Sequence, residues 1–153
     1  MFILKRTTGA DVDFKLLVAL LDKDLEVRNG DEQSFYNQFN SIDMIRNVVV
    51  AYDGELPIGC GAFKEFEHAA LEVKRMFVRT EYRGKGIAFS ILTELETWGG
   101  ELSFCKFVLE TGIKQQEAVK LYLRSGYVVT PNYGQYVGID NSICMMKMNR
   151  VNS

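Results

Sequence analysis

The stretch Arg83-Gly84-Lys85-Gly86-Ile87-Ala88 decides how this chain is read. Before it lies Leu71-Glu72-Val73-Lys74-Arg75-Met76-Phe77-Val78, which reads as a strand. After it, Ile87, Ile91, Leu92, Leu95 and Trp98 share one face of a helix. Glycines at 84 and 86 let the backbone approach a ligand closely and turn its N–H groups inward. The helix that begins near Gly86 adds its positive end and unpaired N–H donors, and Arg83 and Lys85 add charge. The set fits a pyrophosphate, although an ordinary turn of this length would carry the same glycines. A Walker loop is absent, because no Gly-x-x-x-x-Gly-Lys-Ser/Thr occurs. A dinucleotide fingerprint would need a third glycine and an early βαβ unit, and this loop comes after about 80 residues.

The charge distribution points the same way. Residues 74–85 carry five basic side chains against Glu81 alone, a local balance of +4 in a chain of net charge −2. Residues 1–73 carry seven basic and thirteen acidic side chains, and residues 86–153 carry six of each. A short basic segment in an otherwise acidic chain marks a local anion site and argues against a broad nucleic-acid-binding face. At 153 residues, 47% hydrophobic and 25% charged, the chain reads as one domain over residues 1–153, with no linker, repeat or low-complexity run. The apolar start Met1-Phe2-Ile3-Leu4 is too short for a signal-peptide core, and no stretch approaches the ~20 apolar residues of a membrane span. Cys60, Cys105 and Cys144 are odd in number and widely spaced, so they read as reduced thiols in a cytoplasmic protein, with no metal site.

Working outward from the loop gives the remaining elements. Phe2–Arg6 reads as a first strand, Asp11–Val27 as a helix and Asp31–Phe39 as a shorter second helix. Asn47–Tyr52 and Pro57–Phe66 read as strands joined by the Asp53-Gly54 hairpin. The helix after the loop is expected to stop at Gly99-Gly100. Strand 104–109, a helix over Gln115–Ser125 and strands 127–130 and 142–148 follow. The fold class is therefore α/β, with a mixed, largely antiparallel sheet of about seven strands flanked by about four helices.

With these elements in place, the chain resembles the GNAT superfamily of acyl-CoA N-acyltransferases. The family's main motif, Arg/Gln-x-x-Gly-x-Gly/Ala, is matched by Arg83, Gly86 and Ala88. A second motif, Leu-Tyr-x-x-x-Gly-Phe/Tyr at the end of a helix, is matched by Leu121-Tyr122-Leu123-Arg124-Ser125-Gly126-Tyr127. The resemblance implies a single acetyltransferase domain of the small bacterial type that uses acetyl-CoA as cosubstrate. Arg83, Gly84, Lys85, Gly86, Ile87 and Ala88 would hold the pyrophosphate of coenzyme A. The backbone of Met76, Phe77 and Val78 would pair with the pantetheine arm beside a bulge in the central strand. Apolar alternation along that strand does slip near Lys74-Arg75, where Leu71 and Val73 fall in one phase and Met76 and Val78 in the other. Where the family often has asparagine at the start of the second-motif helix, this chain has Gln115, whose amide reaches one carbon further.

The resemblance also assigns catalytic roles. Tyr122 falls where the family tyrosine lies near the sulfur, and would protonate or hydrogen-bond the departing thiolate. Glu72, eleven residues before Arg83, has the spacing of the base glutamate in the histone-acetyltransferase branch. The implied reaction moves acetyl to a small-molecule or peptide amine by direct attack in a ternary complex, in a monomer or homodimer without nucleic acid or membrane. Two readings from other classes stay open at this stage. One is a catalytically silent acyl-CoA-binding sensor or partner module; the other is a phosphate-dependent nucleotide binder. The aromatic loop Pro131-Asn132-Tyr133-Gly134-Gln135-Tyr136 is a candidate wall of the acceptor pocket.

Overall fold

A computed structural model describes residues 1–29, 42 and 44–149. The strands are β1 (Ile3–Thr7), β2 (Asn47–Asp53), β3 (Leu56–Glu67), β4 (Ala70–Val78), β5 (Lys106–Gly112), β6 (Val128–Thr130) and β7 (Ser142–Met148). The helices are α1 (Val12–Asn29), α2 (Ile87–Glu101) and α3 (Gln116–Arg124), and single turns of 3-10 helix cover Thr80–Tyr82 and Gly134–Tyr136. The seven strands form one sheet in the order β1-β2-β3-β4-β5-β7-β6. Every neighbouring pair is antiparallel except β4 with β5. The helix expected over 31–39 lies outside the described residues.

Both faces of the sheet are covered, which explains why β2 is buried without a break from Val48 to Tyr52. Successive side chains go to opposite faces. Val48, Val50 and Tyr52 join Phe14, Leu17 and Val18 of α1 in one cluster. Val49 and Ala51 join Ile91, Leu92 and Leu95 of α2 in the other, to which Tyr122 of α3 also belongs.

Two boundaries differ from the sequence expectation for identifiable reasons. The first helix after the loop does not stop at Gly99-Gly100 but runs to Glu101, and Ser103, with φ 74°, turns the chain away. Gly99 serves close approach instead. A Cβ placed on it would come within 2.4 Å of Leu71 Cδ2, so the glycine lets α2 lie against β4. Strand β5 begins at Lys106 and continues to Gly112, so Glu110, just beyond the expected end, is a strand residue.

The feature that shapes the site is the pairing of β4. Its parallel register with β5 runs from Ala70↔Lys106 to Val73↔Leu109 and ends there. On the other side, β3 registers Ala62 with Lys74 but Cys60 with Phe77, leaving Arg75 and Met76 opposite the single residue Gly61. Arg75 sits at φ 61°, a conformation uncommon for a residue with a Cβ, and marks a bulge. The phase slip expected near Lys74-Arg75 is this bulge. Beyond it β4 and β5 part, and the backbone of residues 74–78 faces a gap.

Candidate active site

Two clefts meet under that gap. The larger encloses about 770 Å³, within the range of small-molecule sites. One wall is Met76, Phe77 and Val78 of β4 together with the loop after it, and the other is α3 from Gln115 to Ser125. The smaller, about 150 Å³, is lined by Glu72, Lys74, Glu110, Thr111 and Tyr136 among others. Met76, Gln115, Ala118 and Tyr122 line both. Tyr122 is buried, at 6% exposure, and stands at the junction.

The loop is built as its glycines suggested. Gly84 and Gly86 have φ of 79° and 82°, which glycine adopts without strain. The first bond of α2 runs from Ser90 N–H to Gly86 O at 3.0 Å. The N–H groups of Ile87, Ala88 and Phe89 therefore have no acceptor inside the helix, and no side chain among the described residues caps the terminus. A ready anion-binding end thus lies on the cleft. Arg83 donates from Nε to the Val78 carbonyl at 2.8 Å and lies 3.6 Å from Asp24 of α1 through Nη2, which braces the turn between strand and helix. Lys85 stands apart. Its ammonium lies 5.3 Å over the Tyr82 ring, and the residue is not part of the cleft lining. The other nine residues expected to hold the cofactor, Gln115 included, line the larger cleft.

The smaller cleft holds the titratable groups. Glu72 is buried, at 3% exposure. Its Oε2 accepts from the Tyr133 hydroxyl at 2.8 Å, and its Oε1 lies 3.7 Å from Lys74 Nζ. Burial lowers the Lys74 pKa below the usual lysine range and outweighs the opposing pull of Glu72. Glu110 faces the same space. Burial, reinforced by the charge of Glu72, lifts its carboxyl to about 7 against the opposing hydrogen bond from Ser142 and the charge of Lys74. Its Oε2 is buried and has no partner among the described residues. Burial and the nearby Glu110 charge hold the Tyr122 hydroxyl above the ordinary tyrosine range. Sequence reasoning singled out Glu72, Tyr122 and the loop at 131–136 but passed over Glu110. The available signal was a carboxylate directly after an apolar strand, at the carboxyl end where α/β sheets place ligands. Among the described residues, no group of three His, Cys, Asp or Glu side chains could hold a metal, and no helix is long and apolar enough to cross a membrane.

A strand that parts from its neighbour beside a glycine-rich helix start leaves an open strand edge and an anion-binding helix end on one cleft, with a titratable pocket adjoining it. The sequence pattern of the acetyltransferase (GNAT) family matches residues 15–127, and the chain belongs to that family. It is 33% identical over 93 residues to the "IAA acetyltransferase" of Azospirillum brasilense, covering 60% of each chain. It is 32% identical over 130 residues to "Probable N-acetyltransferase 14" of Xenopus tropicalis, covering 84% of this chain and 63% of that one. The chain thus spans less than two thirds of the length of these curated relatives. Its fold superposes with TM-score 0.82 and 25% identity on the crystal structure of the "putative acyl-CoA N-acyltransferase" from Klebsiella pneumoniae, over 97% of this chain and 98% of that one. A Thermoplasma acidophilum N-acetyltransferase solved in complex with coenzyme A shares the fold at TM-score 0.72 and 15% identity, over 97% and 99% of the two chains.

Proposed function

We propose that this chain is an acetyl-CoA-dependent N-acetyltransferase acting on a primary amine by direct attack in a ternary complex. One observation carries the reading. The cleft with the anion-binding loop and the pocket with the perturbed carboxylate open into each other at Tyr122. The residues present suit coenzyme A. The glycine loop and the free N–H groups of Ile87, Ala88 and Phe89 would take the pyrophosphate, and the open edge of β4 from Met76 to Val78 would take the pantetheine amides. When bound, acetyl-CoA supplies an electrophilic thioester carbon, and its sulfur leaves as the thiol.

The chain's own groups divide the proton work. An ammonium must lose a proton before nitrogen can attack, so the base must face the acceptor with a free lone pair and a pKa near working pH. Glu110 lines the smaller pocket, its Oε2 has no hydrogen-bond partner among the described residues, and its carboxyl lies near 7. Glu72 faces the same pocket, but the Tyr133 hydroxyl and Lys74 engage its two oxygens. The geometry therefore favours Glu110 as proton acceptor, with Glu72 positioning Tyr133 and Lys74. Tyr122 is the candidate donor to the sulfur. Since its pKa is raised above that of a free phenol and a thiol ionises near ~8.5, full transfer of its proton to the thiolate would be uphill. It acts best by keeping its proton and donating a hydrogen bond to the developing thiolate.

The test is release of free thiol from acetyl-CoA across a panel of alkylamines, amino acids, polyamines and peptide N-termini. Turnover with one class well above the others is the expected result. Tight binding of acetyl-CoA with no turnover on any amine would favour the silent binding module.

A further inference from the structure

α3 carries a feature that acetyl transfer does not use. Lys120 and Arg124 are four residues apart, both exposed and both on the wall of the larger cleft. That spacing stacks them on one face of the helix, where like charges repel. Neither is in an ion pair or hydrogen bond among the described residues. The position of Arg124 in the last turn suits the negative end of the helix, which leaves Lys120 still unexplained. Glu117, the one acidic group of α3 on this wall, lies in its first turn, toward Gln115. The exposed C-terminal half of this wall is therefore cationic. Across the cleft, Phe89 projects from the first turn of α2 and is 52% exposed, an aromatic face left in water beside a phosphate-binding helix end.

The direction of the cleft relates these residues to one ligand. Its inner end is Tyr122, where the two clefts meet, and its middle is the Gly84–Ala88 loop. With the thioester at the first and the pyrophosphate at the second, the remaining part of coenzyme A is the adenosine with its 3′-phosphate. That end must lie on the rim, beyond the loop. A phosphomonoester carries nearly two negative charges at neutral pH. A lysine and an arginine one helical turn apart can both reach it, the arginine in bidentate fashion. An exposed phenylalanine offers a base a stacking surface.

We propose that Lys120 and Arg124 seat the 3′-phosphate of coenzyme A, with Phe89 stacking on its adenine. The chain thereby selects coenzyme A over cofactors that lack this phosphate. The proposal rests on the loop binding the pyrophosphate, and the experiment separates the two ideas. Calorimetry compares coenzyme A with 3′-dephospho-coenzyme A on the wild type, on the Lys120→Ala/Arg124→Ala double variant, on Phe89→Ala and on Lys85→Ala. Charged hydrogen bonds of this kind correspond to a roughly 10- to 100-fold preference of the wild type for the phosphorylated ligand. The double variant should bind both ligands equally, at the wild type's affinity for the dephospho form. Phe89→Ala should weaken both ligands by the same factor and keep the preference. Lys85→Ala, a cation outside the cleft lining, should keep it too. Equal binding of both ligands by the wild type would overturn the proposal while leaving the pyrophosphate site intact, and so would a double variant that keeps the full preference. Failure of both ligands to bind the wild type would overturn the pyrophosphate reading itself.

Discussion

Replacing Glu110 with glutamine tests the centre of the mechanism and separates chemistry from stability in one variant. The amide keeps the volume and can still accept from Ser142, but it cannot take a proton. General-base catalysis is typically worth about 10²–10⁴-fold, and a loss of that size in kcat/KM is expected at pH 8. The wild type should gain activity as pH rises through about 7, where the carboxyl ionises. The variant should lack that limb and recover only toward the amine's own pKa, near ~10.4 for an alkylamine. Stability should move the other way. The folded pKa is raised from 4.5 to about 7, so the carboxyl's contribution is fully present below pH 4.5 and is lost as pH rises through 7. At about 1.4 kcal/mol per unit, the ionised group costs on the order of 3 kcal/mol. Glu110→Gln should therefore match the wild type near pH 5 and exceed it by up to about 3 kcal/mol at pH 8, read by urea denaturation at both pH values. Unchanged kcat/KM would remove Glu110 from the reaction. Lost activity with equal stability at both pH values would show an ordinary carboxyl, and the role argued from its burial would fall with it.

Other substitutions probe the neighbouring parts. Tyr122→Phe removes one hydrogen bond to a developing charge, worth about 1.5–3 kcal/mol, so kcat should fall roughly 10- to 100-fold with little change in the Kd for acetyl-CoA; an unchanged kcat in single-turnover kinetics would leave Tyr122 a packing residue. Glu72→Gln should cost less than Glu110→Gln and leave the limb near pH 7 in place, since its partners are Tyr133 and Lys74; disappearance of that limb would return the base role to Glu72. Gly86→Ala forces a side chain to φ 82°, where its Cβ meets open space but the backbone is strained by about 1–2 kcal/mol. It should weaken coenzyme A binding in calorimetry more than Lys85→Ala does, and equal losses would contradict a backbone cradle. Gly99→Val drives a Cβ toward Leu71 and should lower stability by about 1–3 kcal/mol in a thermal melt, whereas an unchanged Tm would mean the α2–β4 contact relaxes freely.

The elements that carry the site were legible in the sequence where backbone chemistry leaves a local mark. Gly84 and Gly86 announced a loop whose backbone can come close to a ligand, and the broken alternation at Lys74-Arg75 announced the bulge. Tyr122 was placed by its motif. Glu110 was hidden because β5 is covered on both faces, so its apolar run gives no period by which to tell where the strand ends or which way the next residue points. Gly99-Gly100 misled for a related reason. A helix-ending glycine and a close-packing glycine look the same until the partner, here Leu71, is known to lie against it. The pKa of Glu110 was equally out of reach, because it depends on burial and on residues of two other strands, Ser142 of β7 and Lys74 and Glu72 of β4.

The four-pair seam between β4 and β5 has a consequence for amide exchange. On one side of it stand β1 to β4, contiguous in the chain apart from α1, and on the other stand β5, β7 and β6. Past Val73 and Leu109, the inward N–H groups of β4 have no strand to protect them, so they should exchange with deuterated solvent at rates closer to loop amides than to those of β2, buried two strands away. A ligand laid along that edge would become, for exchange purposes, an eighth strand. Its footprint would appear as slowed exchange confined to Lys74–Val78 and the facing end of β5, and would read the occupancy of the gap without any turnover.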